Sequence, residues 1–285
     1  MIHELPLERR TLHGHFSREL EPVLEIDPGE SIRIDVPNAG WQLASLDVFE
    51  PRSSPADDGH ALAGPIAVRG ARAGQTLAVR IDDVSPGPWG VTLTEEPHKI
   101  DWRLEDGKGI ASTGQVVRLA PFLGVLGMPP AEPGMHSTIP PRRCGGNIDC
   151  KELVAGTTLY LPIAVDGARF SAGDPHGLQG DGEVSGTAIE CPASAQLTLD
   201  VRDDLQLEWP IARIDGAWLT FGFDEHLGRA AKIAVDGMVA LMGREHGLGE
   251  SDALGLASIV VDLRVTQVVN GQVGVHAVLR DDAWR

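Results

Sequence analysis

A mainly β fold is what the sequence predicts: a β-rich α+β chain with a sandwich- or barrel-like body and a helical segment near the C-terminus. Three observations carry this expectation. Short runs alternate apolar and polar residues with a period of two, the pattern of half-buried strands. Glycine and proline punctuate these runs, 34 and 20 times in 285 residues. A sustained helical stripe begins only at Leu227.

The elements follow in order. Pro28-Gly29-Glu30-Ser31-Ile32-Arg33-Ile34, Ala73-Gly74-Gln75-Thr76-Leu77-Ala78-Val79 and Ala155-Gly156-Thr157-Thr158-Leu159-Tyr160-Leu161 share one phrase. Each is a glycine turn, a Ser or Thr, then apolar residues at alternate positions. The first two follow proline-led alternating runs, Pro22 to Ile26 and Pro65 to Val68, and so read as related hairpins or arches. Chance recurrence of a common turn is the alternative. Further strands are expected at Val116–Leu119, Ala168–Ala172, Gly186–Cys191, Ala195–Val201, Glu208–Ile214 and Ala217–Gly222. Between Pro121 and Glu190, Pro129-Pro130, Pro133-Gly134, Pro140-Pro141 and Gly145-Gly146 read as loop throughout, the place where function concentrates on a β scaffold. From Leu227 to Glu245 the apolar residues fall on one helical face, ended by Gly247 and Gly249. Ser251 or Asp252 is the expected cap of a second helix from Ala253 to about Ser258. Ile259–Val268 then reads as a strand, and Asn270-Gly271 as a hairpin turn into Val273–Leu279. The whole, residues 1–285, is expected to be one domain, with 1–120 and 121–285 as possible β-rich sub-halves.

Charge removes several function classes. There are 24 Lys+Arg against 41 Asp+Glu, a net charge of −17. Nucleic-acid binding by phosphate neutralisation needs a basic face, which no stretch supplies. The acidic surplus argues equally against anionic membranes, and no apolar run approaches the ~20 residues of a membrane-spanning helix. Met1 to Arg10 lacks the apolar core of a signal peptide. Cys144, Cys150 and Cys191 show no paired spacing, so neither a disulfide frame nor a thiolate zinc site is indicated. The expectation is a cytoplasmic protein, without nucleic-acid or membrane partners.

The chemistry-bearing residues cluster in the glycine-rich stretch. Asn147-Ile148-Asp149, Gly173-Asp174-Pro175-His176 and Gln179-Gly180-Asp181-Gly182-Glu183 place carboxylates and an imidazole along this one stretch. Asp149, Asp174, His176 and Glu183 are oxygen and nitrogen donors suited to a divalent metal. Asp174 and His176, two apart on an extended segment, share a face. Turn-forming Asp and Gly residues in ordinary loops are the competing reading. His13-Gly14-His15 has the same two-residue spacing and His136 lies in the proline-rich loop, so His15 and His136 are possible additional site residues. His98, His226, His246 and His276 sit in contexts that suggest surface or packing roles. A protein nucleophile has little support: no Gly-x-Ser-x-Gly elbow occurs. Cys150-Lys151-Glu152, three consecutive residues on one strand, cannot all face one substrate.

These stretches resemble the acetamidase/formamidase family. The likeness is carried by Gly64-Pro65-Ile66-Ala67-Val68-Arg69-Gly70-Ala71, by Pro121-Phe122-Leu123-Gly124-Val125-Leu126-Gly127, by Pro141 to Asp149, and most of all by Phe170 to Glu190. It runs from about His15 to about Leu279, with Phe16 where many relatives carry Trp. The resemblance implies a β-rich fold, hydrolysis of short linear amides to carboxylate and ammonia, and a divalent metal, with zinc expected and calcium a possible second ion. Asp149, Asp174, His176 and Glu183 fall on the family's polar motif. On chemical grounds Asp149, Asp174 and His176 are assigned as metal ligands and Glu183 as general base. Asn147 is assigned as hydrogen-bond donor to the oxyanion. The expected partner is a small-molecule amide, and the expected assembly a homo-oligomer. Two other classes stay open: a β-domain binding protein with a structural ion, and a metal-dependent lyase or lactonase.

Overall fold

A computed structural model describes residues 1–43, 47–94 and 98–284. Three sheets are present among these residues. The largest has nine strands, in the order Ile2–Leu5, Glu30–Val36, Ala193–Arg202, Thr76–Pro86, Thr158–Pro162, Ile211–Ile214, Ala217–Asp224, Val273–Arg280 and Val261–Gln267. A second has Gly145–Asn147, Phe122–Gly127, Phe170–His176, Leu62–Val68 and Leu12–His13 in sequence across it, with Leu24–Ile26 added in parallel to Leu62–Val68. A small meander of four holds Val116–Arg118, Lys108–Ala111, Lys99–Glu105 and Trp89–Leu93.

The two large sheets share one core. Ile32, Leu77, Leu159 and Leu197 from the nine-stranded sheet pack with Ile66, Leu123, Phe170 and Ala172 from the second. The alternating phrases explain how. Leu24–Ile26 and Leu62–Val68 lie side by side in the second sheet, and each continues through a glycine turn into the nine-stranded one. Gly29 and Gly74 make those turns at φ 83° and 91°, conformations that cost a residue with a Cβ. Both arches therefore cross from one layer to the other.

The mainly β body with C-terminal helices is as the sequence predicts, with local differences. Ile2–Leu5, Trp89–Leu93, Lys99–Glu105 and Lys108–Ala111 are strands that short or charged runs concealed. Between Pro121 and Glu190, Thr158–Pro162 and the start of Phe170–His176 fall on expected strands, whereas Phe122–Gly127 and Gly145–Asn147 are strands where loop was expected. Phe122–Gly127 and Phe170–His176 are buried at every position, so neither shows period-two polarity. Gly186–Cys191 is not a strand; it makes only isolated bridges at Glu190, and pairing resumes at Ala193.

Helix α1, Leu227–His246, ends at Gly247 in the left-handed conformation. It buries Ala230, Ala234, Met238 and Met242 against Val275 and Ala277. Helix α2, Glu250–Val260, starts from Gly249, with no side-chain cap, rather than from Ser251 or Asp252. It also runs past Ser258: the Val261 amide closes its last turn on the Ala257 carbonyl, taking Ile259 and Val260 from the expected strand. No helix among the described residues is long and apolar enough to cross a membrane.

Candidate active site

One end of the second sheet carries the polar residues. Asp174 and His176 lie on Phe170–His176, Asn147 ends the Gly145–Asn147 strand, and Asp149 follows two residues later. Phe122–Gly127 runs between these strands. Its Gly124 forms the floor: a Cβ there would sit 2.4 Å from Asp149 Oδ1 and 2.6 Å from Asp174 Oδ2. Only glycine lets the carboxylates close over that strand. Glu183 and Glu190 arrive from the irregular segment that follows Phe170–His176.

The backbone is bent at these positions. Asp149, Asp174 and Glu183 have φ of 51°, 57° and 46°, a region that residues with a Cβ seldom occupy. Such strain persists where the surroundings over-determine it, and it concentrates at functional sites.

Hydrogen bonds then aim the side chains. Gln179 donates through Nε2 to the Asp149 carbonyl (2.8 Å), so its Oε1 is the end that accepts from His176 Nδ1 (2.9 Å). With Nδ1 engaged, His176 Nε2 lies 3.3 Å from Asp174 Oδ1 and 3.3 Å from Glu190 Oε1. Asn270 donates to Asp149 Oδ2 (2.5 Å), and the Ala188 amide donates to Glu190 Oε1 (2.8 Å). Donor atoms of Asp149, His176 and Glu183 lie within 4.8 Å of one another, as do those of Asp174, His176 and Glu190. The cluster faces a cavity of about 430 Å³, which Asn147, His60, Trp89 and Val91 also line.

Four buried carboxylates crowd one buried imidazole. Burial, then the attraction of His176 set against the like charge of Asp174, leaves the Asp149 carboxyl raised to about 7. Burial and the neighbouring Asp149 raise Glu183 to about 9. Burial opposes ionisation of Asp174 too, but His176 and His60 outweigh it and hold this carboxyl well below its ordinary range. His176 is driven the other way: burial would discharge it, yet Glu190 and Asp174 keep it cationic far above its usual value. Asn147 Oδ1, Asp149 Oδ1, Asp174 Oδ1 and Glu190 Oε2 are buried without a hydrogen-bond partner. Unpaired buried oxygens in such excess are costly. All-oxygen-and-nitrogen donors with surplus negative charge suit a divalent cation, which would relieve both deficits.

The structure thus brings together Asn147, Asp149, Asp174, His176 and Glu183. It leaves His15 and His136 elsewhere. His15 packs on His13 and lies 3.6 Å from Asp57, while His136 pairs its backbone with Phe16 and its ring with the Glu132 carbonyl. Sequence reasoning missed Glu190, His60, Gln179 and Asn270. Glu190 and Gln179 stood inside the motif-bearing stretch and were legible as polar residues there. Asn270 was read only as half of a hairpin turn, and nothing local to His60 or Asn270 announced their approach to Asp149.

Fold and cluster together define a layered β protein with a buried carboxylate–imidazole centre. The chain belongs to the acetamidase/formamidase family, whose model matches residues 3–133 and 131–221. A putative formamidase of Schizosaccharomyces pombe is 27% identical, with 62% of this chain and 60% of that protein aligned. The formamidase of Methylophilus methylotrophus is 25% identical, over 61% of this chain and 60% of its own length. The chain therefore spans about 60% of the length of these curated relatives. Among solved structures, a predicted acetamidase/formamidase from Thermoanaerobacter tengcongensis superposes with a TM-score of 0.89 at 25% identity. That match covers 99% of this chain and 97% of that one. An acetamidase from Yersinia enterocolitica also gives 0.89, at 26% identity, covering 100% and 94%.

Proposed function

We propose that this protein hydrolyses short linear amides of the formamide or acetamide type to carboxylate and ammonia, with the help of a divalent cation. The observation that carries this reading is the set of buried, unpartnered carboxylate oxygens around His176, in a chain of this family. Asp149, Asp174 and His176 are the residues to hold the ion, with Glu190 beside Asp174 as a further donor. Zinc is the ion we assign, with calcium as the candidate for a second. A bound cation supplies Lewis-acid polarisation of the amide carbonyl and of water, and the positive charge that offsets the crowded carboxylates.

The chain supplies the rest. Glu183 takes the proton of the attacking water and returns it to the departing nitrogen, which leaves as ammonia. Its carboxyl, pushed up by burial and like charge, is freed to ionise once Asp149 is compensated. Asn147 donates to the carbonyl oxygen as charge develops there. Gln179 holds the His176 ring with Nε2 inward, and Asn270 fixes one Asp149 oxygen, leaving the other for the site.

Ammonia release from formamide and acetamide is the deciding measurement. It separates an amidase from a binding protein with a structural ion and from a lyase or lactonase. Prolonged chelation should abolish the release, and Zn²⁺ or Mn²⁺ should restore it. Full activity in rigorously metal-free protein overturns the metal-assisted mechanism.

A further inference from the structure

Behind Asp149 the chain turns, and Cys150 and Glu152 meet His276 from the Val273–Arg280 strand. Cys150-Lys151-Glu152 is a turn, not the strand the sequence suggested, so Cys150 and Glu152 converge while Lys151 pairs outward with Asp181. The Cys150 thiol donates to Glu152 Oε2 at 3.2 Å, and His276 Nε2 lies 3.6 Å from that same oxygen. Their donor atoms all fall within 4.8 Å of one another. His276 is fully buried, and its Nδ1 is engaged by Thr266 Oγ1 at 2.8 Å. Nε2 therefore faces the cluster, where it is buried and has no hydrogen-bond partner.

We propose that Cys150, Glu152 and His276 form a structural zinc site, distinct from the carboxylate centre. Zinc bonds of ~2.3 Å to sulfur and ~2.0 Å to nitrogen and oxygen, at tetrahedral angles, set ligand-to-ligand edges of roughly 3.3–3.5 Å. Glu152 Oε2 lies 3.2 Å from the Cys150 sulfur and 3.6 Å from His276 Nε2, each within a few tenths of an ångström of its tetrahedral edge. A thiolate, an imidazole and a carboxylate together form a donor set characteristic of zinc, while the carboxylate centre contains no sulfur. Thr266 on Nδ1 is the kind of outer partner that fixes a ligating histidine. Binding would release the thiol proton to solvent, and the two anionic ligands would balance the dication. Arg264, 2.8 Å from Glu152 Oε1, holds the carboxylate from its other oxygen. Three protein donors are one fewer than most structural zinc sites carry.

The site's place in the fold gives it a purpose. It joins the segment carrying Asn147 and Asp149 to the hairpin formed by Val261–Gln267 and Val273–Arg280. The turn of that hairpin carries Asn270, which reaches Asp149. A zinc staple there would hold both ends of that contact.

X-ray absorption at the zinc edge, on protein produced with zinc, tests the proposal independently of any amidase activity. Expected is a sulfur shell at about 2.3 Å that vanishes in Cys150→Ser. Should that variant not fold, His276→Gln serves instead, and it too should lose the shell as the ion leaves. A zinc spectrum of the native protein without sulfur overturns the site, as does a shell that survives either substitution. Neither result bears on amide hydrolysis, which the ammonia assay judges.

Discussion

Among the described residues two buried His–Asp groupings can be compared, and their carboxylates differ in how fully they are compensated. At Asp57, both carboxylate oxygens are saturated. Oδ1 accepts from the Gly14 amide and Arg52 Nη2, and Oδ2 accepts from the Arg52 amide, Arg52 Nε and Arg9. Burial opposes its ionisation, but the Arg52 and Gly14 hydrogen bonds prevail and hold Asp57 well below the ordinary carboxylate range. His13 beside it is settled on Ser171 and the His15 carbonyl, and burial lowers it to about 4. At Asp149 and Asp174 no arginine stands among the partners found in the described residues. There the charge is met by the His176 imidazole, with His60 further off, and oxygens are left over. Burial alone does not mark a reactive site; burial without closure does.

Breaking the uncompensated grouping should have the largest effect. His176→Ala removes the nitrogen donor shared by both carboxylate groupings, so the ion of that centre and the activity should be lost together, while zinc at Cys150 should stay. Metal analysis and ammonia release on one sample check this, and a metal content equal to that of the native protein would refute the ligand assignment. Gly124→Ala should act as strongly from the opposite side, because its methyl group falls where the Asp149 and Asp174 oxygens lie. Circular dichroism should still report a folded β protein.

Glu183→Gln comes next and separates base from ligand. Size is kept and the proton acceptor lost, so kcat should fall by about 10²–10⁴ with metal retained. A metal-depleted variant would make Glu183 a ligand, and a fully active one would remove it from the chemistry. Gln179→Ala is gentler. It frees the His176 ring and the Asp149 carbonyl, and metal affinity should drop by about 10–100-fold, as titration would show.

The smallest effect on activity belongs to the compensated grouping. Asp57→Asn should leave metal content unchanged yet cost about 1–3 kcal/mol of stability by weakening charged hydrogen bonds. The folded carboxyl lies below its unfolded value, so its contribution is complete above the unfolded pKa of ~4 and fades as pH falls through the folded one. Denaturation of native and Asp57→Asn proteins should therefore diverge at neutral pH and converge in acid. A constant gap across that range would show that Asp57 contributes by shape rather than charge.

What the sequence determined alone is local and periodic. The arches through Gly29 and Gly74 are written in alternation and glycine. Helix α1 is written in a 3.6-residue stripe and a closing Gly247, because each depends on neighbours a few positions away. The trio Asp149, Asp174 and His176 was legible for a related reason: polar residues among glycines and prolines stand out from any strand pattern. What tertiary structure decided is everything that needs distant segments to meet. Phe122–Gly127 is covered on both faces, and a strand so covered loses the alternation that would betray it. Asn270 lies 121 positions from Asp149 and His276 comes from a separate strand, yet both end beside the 147–152 segment. Whether a buried aspartate is neutralised, as Asp57 is by Arg9 and Arg52, or left short, as Asp149 is, depends on which side chains the sheets carry to it. That sum is made only when the layers close.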